Sequence, residues 1–145
     1  MFSVIFPGQG SQTIGMGKEF FEKYDLVKKL FHEADDVLGL SLSKIILEGP
    51  KEDLDLTENT QPAIFLISFS IFQVIKNEFN IDLNKAKYFA GHSLGEYSAL
   101  SSAGYLNFSE TIKLLQTRGK AMQNAVPKGE GGMLAILGSS VDVIE

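Results

Sequence analysis

The sequence contains no cysteine among its 145 residues. This absence excludes a disulfide framework, a thiol nucleophile and a cysteine-based zinc site, and it suits the reducing cytoplasm. The sequence also lacks an HExxH string and any pairing of histidine and acidic residues at ligand spacing, so no metal is expected. No cofactor is expected either, because there is no P-loop and Gly8-Gln9-Gly10 lacks the rest of a dinucleotide-binding fingerprint.

Basic clusters and long apolar runs are missing as well. The net charge is −5 without a basic run, so neither nucleic acid nor an anionic membrane is an expected partner. The N-terminus has no basic region ahead of its short apolar run, which argues against a signal peptide. The most hydrophobic segment, residues 62–75, is shorter than the ~20 residues that span a bilayer, so a buried helix is predicted there.

The remaining pattern predicts an α/β fold with strands that alternate with helices. Strands are predicted at residues 2–6, buried on both faces, and at 87–90 and 133–137. Helices are predicted at 18–38 with a break near Asp25, and at 41–47, 60–79, 96–103 and 108–125. Only three strands are visible, whereas such sheets usually have about five or six. We therefore expect the N-terminal part of a larger protein, or a truncated product.

Two helix starts are predicted from capping residues. Thr60 is the predicted N-cap of the apolar helix, which places Pro62 in the first turn, where its missing N–H costs no hydrogen bond. This helix is apolar nearly all round and should be surrounded by protein. Asn107, followed by Glu110, is the predicted cap of the helix that carries Arg118.

The stretch Gly91-His92-Ser93-Leu94-Gly95 lies between a predicted strand and a predicted helix. A serine at the apex of such a turn is typical of a nucleophile elbow. The Leu94 N–H, at the start of the helix, is placed to donate to an oxyanion. A second donor is expected from the glycine-rich loop around Gln9. A chance match is the competing interpretation, because the chain holds 14 glycines.

The base that would activate Ser93 is hard to find, because the chain has only two histidines. His92 precedes the serine on a tight turn, so its side chain should point away and support the elbow by packing or hydrogen bonding. His32 is predicted near the surface of its helix. A histidine base is therefore expected beyond Glu145.

Arg118 shares a helical stripe with Leu115 and Met122, which places it on or beside a core-facing side. A buried guanidinium is costly without an anionic partner. The partner is either a substrate carboxylate, held by two hydrogen bonds, or an internal acid such as Glu96, unless the side chain reaches solvent. The stripe alone favours an internal acid or exposure to solvent over a substrate carboxylate.

Four motifs together resemble the malonyl-CoA:acyl-carrier-protein transacylase family. In chain order they are Phe6–Gln12, Asn59–Ala63, Gly91–Leu100 and Arg118–Met122. The resemblance covers the whole chain and corresponds to the N-terminal half of the family. It implies an incomplete α/β-hydrolase-like core at residues 1–127 and, at 128–145, the start of an inserted ferredoxin-like subdomain.

The resemblance also implies an activity, the transfer of a malonyl group from malonyl-CoA to acyl carrier protein through a serine ester, in fatty acid biosynthesis. Ser93 matches the nucleophile, and Gln9 and Leu94 match the residues whose backbone N–H groups form the oxyanion hole. Arg118 matches the arginine that holds the malonyl carboxylate, and Gln61 belongs to a motif that supports the site.

The family's histidine and its orienting residue have no counterpart here. The 145-residue chain alone is therefore expected to be nearly inactive and to expose apolar surface along the 62–75 helix. The alternatives are a polyketide-synthase-type acyltransferase, another serine hydrolase, or a non-catalytic remnant of a split gene. A lipase-like hydrolase would not need Arg118, and the start at Met1 favours a stand-alone enzyme over an internal module.

Overall fold

The computed structural model describes residues 1–79, 81–126, 130, 136 and 138–143. The two strands are β1 (Ser3–Phe6) and β2 (Tyr88–Gly91). The helices are α1 (Lys18–Lys23), α2 (Asp25–Leu38), α3 (Leu42–Glu48), α4 (Lys51–Leu54), α5 (Thr57–Glu78), α6 (Gly95–Ser102) and α7 (Phe108–Asn124). Within these ranges no helix has the length and apolarity needed to cross a bilayer. The strand predicted at 133–137 lies outside the described residues except for Ile136, so the subdomain at 128–145 remains a prediction.

The two strands are parallel neighbours, with Ser3 opposite Tyr88 and Phe6 opposite Gly91. The carboxyl ends of both strands therefore meet at one edge of the sheet. One face packs on α5 and α6 through a cluster of buried side chains, Phe6, Phe72, Leu83 and Ala99.

The opposite face of the sheet is open, and the prediction that the first strand is buried on both faces was wrong. Ile5 is 76% exposed, whereas Phe6, on the other face, is 4% exposed. Strand side chains alternate between the faces, and only the helix-covered face of β1 has a partner among the described residues.

Helix α5 forms the centre of the main core, between α2 and α7. The fully buried side chains of this core include Phe31, Leu42, Ile46, Phe65, Leu66, Ile112 and Leu115. The prediction that this apolar helix is surrounded by protein is confirmed over its first turns, where residues 59–66 are all buried. Farther along, Ile67 and Ile71 line an open apolar groove of about 310 Å³ with Ile5 and Phe6, so some apolar surface is exposed, as predicted.

Most helix ends agree with the sequence prediction, and one does not. The break near Asp25 is confirmed, because Tyr24 is extended between α1 and α2. Asn107 caps α7 through its side-chain oxygen, which accepts from the Ser109 N–H at 2.9 Å. Helix α5, however, begins at Thr57, so the Thr60 cap was wrong.

Thr60 instead donates its hydroxyl to the carbonyl oxygens of Leu54, at 2.5 Å, and Leu56, at 3.1 Å. The hydroxyl thus ties α5 to the end of α4 and caps no N–H group. Pro62 consequently lies in the second turn of α5, where its missing N–H does cost one helical hydrogen bond.

Helix α7 packs directly on the backbone of the first turn of α5. A Cβ atom added at Gly119 would lie 2.5 Å from the Glu58 Cα and 2.6 Å from the Thr57 carbonyl oxygen. Only glycine permits this approach. The contact places Arg118, the preceding residue, beside Gln61 on the next turn of α5.

Gly119→Ala tests this contact. Alanine is the better helix former by about 1 kcal/mol, so a loosely packed position would gain stability. We expect the free energy of unfolding to fall instead, by about 1–3 kcal/mol, because the added methyl group forces the helices apart. Chemical denaturation measures the change, with Gln123→Ala, at an exposed position of α7, as the control. A rise in stability for Gly119→Ala would contradict the close packing.

Candidate active site

Ser93 lies at the apex of a sharp turn between β2 and α6. Its φ of 56° places it in the left-handed region, and it is the one non-glycine residue with positive φ in the described part of the chain. The turn is held by hydrogen bonds from the Gly95 N–H to the His92 carbonyl, at 2.9 Å, and from the Glu96 N–H to the Ser93 carbonyl, at 3.1 Å. Such strain costs about 1–3 kcal/mol and recurs at functional sites. The predicted elbow context is therefore present, with an exposed hydroxyl.

Two glycines make this turn possible. A Cβ atom at Gly91 would lie 2.0 Å from the carbonyl carbon and oxygen of Gly95. A Cβ atom at Gly95 would lie 2.6 Å from the carbonyl oxygens of Phe6 and Pro7. The first contact closes the elbow on itself, and the second presses it against the end of β1.

The loop after β1 is thereby brought to the serine. The His92 N–H donates to the Phe6 carbonyl at 3.2 Å, which continues the parallel pairing. A Cβ atom on Gly8 would lie 2.4 Å from His92 Nδ1, so the imidazole packs on this loop. This position agrees with a supporting role for His92 rather than a role as base.

The conformation of the β1 loop is fixed by side-chain hydrogen bonds. Gln12 accepts from the Gly10 N–H at 2.8 Å and donates to Asp55 at 3.0 Å. Hydrogen bonds from Lys51 and Gln12 hold the pKa of Asp55 below its usual value. The Gln9 side chain is 3.4 Å from the Thr57 hydroxyl. These contacts tie the loop to the α4–α5 segment.

The two predicted oxyanion donors lie at the same edge of the sheet. Leu94 is fully buried and is the N-cap residue of α6, so its N–H is fixed at the helix N-terminus beside Ser93. Gln9 follows Gly8, the residue that contacts His92. Within the described residues neither backbone N–H donates to another protein group. The arrangement allows both to serve an oxyanion.

Arg118 reaches Ser93 directly. Its Nη2 donates to Ser93 Oγ at 3.2 Å and its Nη1 donates to Gln61 Oε1 at 2.5 Å. The guanidinium carbon lies 5.8 Å from the centre of the Tyr97 ring. None of the ion pairs among the described residues includes Arg118, and Glu96 is exposed. The suggested pairing with an internal acid is thus not what the structure has.

The structure adds three residues that sequence reasoning did not assign to the site. They are Tyr97, under the guanidinium, Met122, whose sulfur accepts from Gln61 Nε2 at 3.3 Å, and Gly119, which sets the distance between α5 and α7. Helical spacing was an available signal, since Tyr97 follows Ser93 by four residues and Met122 follows Arg118 by four. Arg118 is also the one arginine in the sequence.

A base is missing from this group of side chains. Neither histidine hydrogen-bonds Ser93 Oγ in the part of the chain that the structure describes, and His32 is exposed on α2. The described residues also hold no cluster of three or more side chains suited to a metal ion. The site thus contains a serine, two backbone N–H donors and an arginine. These groups are some of those that an acyl-transferring serine enzyme requires.

The acyl transferase domain family matches residues 3–142, and the chain belongs to this family of enzymes. Among its relatives is the malonyl CoA-acyl carrier protein transacylase of Haemophilus influenzae, 47% identical over 143 residues, 99% of this chain and 45% of the relative. The Bacillus subtilis (strain 168) transacylase is 48% identical over 141 residues, 97% of this chain and 43% of the relative.

Solved structures give the same result for the fold. FabD from Acinetobacter baumannii superposes with a TM-score of 0.88 at 46% identity, over 99% of this chain and 44% of that one. A malonyl-transacylase, solved in complex with a type II PKS acyl-carrier protein, has a TM-score of 0.81 at 43% identity, over 88% of this chain and 40% of that one. The mixed α/β class is confirmed, and the chain spans less than half the length of these relatives.

Gly95→Ala tests the contact between the elbow and β1. The added methyl group meets two backbone carbonyl oxygens that cannot rotate away, so we expect a loss of about 1–3 kcal/mol in the free energy of unfolding. Thermal and chemical unfolding measure the loss. Glu96→Ala, at the exposed next position, serves as the control and should stay within about 0.5 kcal/mol of the parent. Equal stabilities for the two variants would contradict the packing of Gly95 on β1.

Proposed function

We propose that this chain supplies the nucleophile, the oxyanion donors and the carboxylate-binding arginine of a malonyl-CoA:acyl-carrier-protein transacylase. The observation that carries the proposal is the position of Arg118. Its guanidinium lies within hydrogen-bonding distance of Ser93 Oγ and forms no ion pair with an acid of the described chain. A malonyl group carries a carboxylate one methylene away from its thioester carbonyl, so arginine and serine are spaced to engage both ends of it.

In the first half of the reaction, Ser93 Oγ attacks the thioester carbonyl carbon of malonyl-CoA. The N–H groups of Gln9 and Leu94 stabilise the oxyanion that forms. The carbon–sulfur bond then breaks, coenzyme A leaves as the thiol, and malonyl remains as an ester on Ser93. In the second half, the phosphopantetheine thiol of acyl carrier protein attacks the ester, and Ser93 regains its proton.

Both halves need a base. In the first half it takes the Ser93 proton and gives it to the departing coenzyme A sulfur, and in the second half it takes the proton of the carrier-protein thiol and returns it to Ser93. Neither of the chain's two histidines hydrogen-bonds Ser93 Oγ among the described residues, so we propose that a histidine outside these 145 residues supplies this function. His92 and Gln61 act as supporting residues, the first through the β1 loop and the second through Arg118.

We extend the proposal to the domain organisation, the location and the cofactor requirement of the enzyme. Residues 1–127 form part of an α/β-hydrolase-like core, and residues 128–145 begin a ferredoxin-like subdomain. The enzyme works in the cytoplasm, without a metal or a resident cofactor, and provides malonyl groups for fatty acid biosynthesis.

One observation favours a second destination for the malonyl group. The polyketide biosynthesis malonyl CoA-acyl carrier protein transacylase BaeC of Bacillus velezensis is 39% identical over 138 residues. The chemistry at Ser93 is the same in either case. Transfer rates to a fatty-acid and to a polyketide acyl carrier protein would distinguish the two pathways.

Ser93 acylation is the first test. We expect a malonyl adduct on Ser93 when residues 1–142 are fused to the part of the Haemophilus relative that they do not match, and mass spectrometry after exposure to malonyl-CoA detects it. Ser93→Ala should abolish the adduct, and Ser3→Ala, at the far end of β1, should not. The 145-residue chain alone should react roughly 10⁶-fold more slowly, because it lacks the base. An unmodified Ser93 in a folded fusion would sink the proposal.

Arg118 is tested by substrate preference in the same fusion. Arg118→Ala should lower kcat/KM for malonyl-CoA by about 100-fold or more, the value of charge-assisted hydrogen bonds to a carboxylate. Acetyl-CoA has no carboxylate and should be affected by less than about 5-fold, on the scale of one weak contact. Lys120→Ala, at an exposed position of α7, is the control. Parallel losses for both thioesters would refute the carboxylate role.

A further inference from the structure

Gln61 is a polar side chain with no exposed surface. It lies on α5, and its two amide atoms face two side chains of α7. Its Oε1 accepts from Arg118 Nη1 at 2.5 Å, and its Nε2 donates to Met122 Sδ at 3.3 Å. Both ends of a fully buried amide are thus used, on partners one helical turn apart.

The chemistry of these partners allows only one orientation of the amide. Arginine has donors and no acceptor, so the Gln61 oxygen must face Arg118. A thioether sulfur has no proton to donate and accepts weakly, so the Gln61 NH₂ group must face Met122. Because the backbone contact at Gly119 fixes the distance between α5 and α7, the amide and the guanidinium have little freedom to rearrange.

The neutrality of Gln61 matters as much as its orientation. A carboxylate at this position would form an ion pair with Arg118 and cancel its charge, whereas a carboxamide accepts the hydrogen bond and leaves the charge in place. Arg118 is half-buried and joins no ion pair among the described residues. Away from bulk water, an uncancelled charge interacts more strongly with an incoming anion.

We propose that Gln61, held by Met122, is a positioning residue that determines specificity for carboxylate-bearing acyl groups. It aims the Arg118 guanidinium at the acyl group on Ser93 and preserves its full charge. The inference rests on the proposed function, since it takes Arg118 as the receptor of the malonyl carboxylate, and it assigns the selectivity of that receptor to a neutral partner on another helix.

Equilibrium binding of malonyl-CoA and acetyl-CoA to the 145-residue chain tests the proposal, with isothermal titration calorimetry as the measurement. The parent should bind malonyl-CoA more tightly than acetyl-CoA. Gln61→Glu cancels the charge and should weaken malonyl-CoA binding by about 10- to 100-fold, the value of hydrogen bonds to a charged group. Acetyl-CoA binding should change by less than about 3-fold, since that ligand does not use the arginine.

Three further variants separate the contributions of the hydrogen bonds and of the Arg118 charge to malonyl-CoA binding. Gln61→Met removes the hydrogen bond but keeps the charge of Arg118, so its loss of malonyl-CoA affinity should be smaller than that of Gln61→Glu. Met122→Leu removes the sulfur acceptor and should cost a few-fold, as expected for one weak hydrogen bond. Met16→Leu makes the same chemical change within the loop that precedes α1 and should keep the parent preference.

A malonyl preference that is unchanged in Gln61→Glu overturns the proposal. If circular dichroism shows that this variant does not fold, Gln61→Met and Met122→Leu decide, and parent-like preference in both overturns it equally. A parent chain that shows no malonyl preference overturns the proposed carboxylate role of Arg118 and this inference with it. A parent preference that the Gln61 variants retain removes the inference alone and leaves the proposed function standing.

Discussion

The contact on which this site depends is the approach of the elbow backbone to the end of β1. Gly95 lies against the carbonyl oxygens of Phe6 and Pro7, and any side chain there would hold the two segments apart. This contact, together with the hydrogen bond from the His92 N–H to the Phe6 carbonyl, places the loop after β1 beside Ser93. It also fixes the start of α6, where Leu94 is anchored in the core. Ser93 and both candidate oxyanion donors therefore share one backbone constraint.

A second backbone contact, at Gly119, determines where the positive charge of Arg118 lies. It brings α7 onto α5 so that Arg118 meets both Gln61 and Ser93. The positive charge is stabilised by a neutral amide and by the face of Tyr97 rather than by an acid. A cation that is surrounded by neutral groups can still attract an anion. An arginine in a structural ion pair lacks this property, because an acid already neutralises its charge.

The elbow was predictable from sequence because it is local. Five consecutive residues and their flanking strand and helix define it, and the positive φ of Ser93 follows. The partner of Arg118 was not predictable from the helical stripe, since Gln61 is 57 residues away and periodicity identifies a buried face but not its neighbour. The Thr60 N-cap was predicted wrongly because a threonine hydroxyl is a common helix cap. The burial of Ile5 was predicted wrongly because a short apolar run does not reveal whether one or both faces of a strand are covered.

The packing of His92 on Gly8 has a consequence for how this sequence can change. A side chain at position 8 would overlap both the imidazole and the backbone carbonyl oxygen of His92, so the space at position 8 depends only in part on the residue at position 92. Substitutions at these two positions should therefore show strong non-additivity, although they lie far apart in the sequence. A small residue at position 92 would not by itself admit a side chain at position 8, because the His92 carbonyl oxygen also lies 2.8 Å from the added Cβ atom. The loop and the elbow can therefore accept a larger residue at position 8 only if the backbone between them also moves.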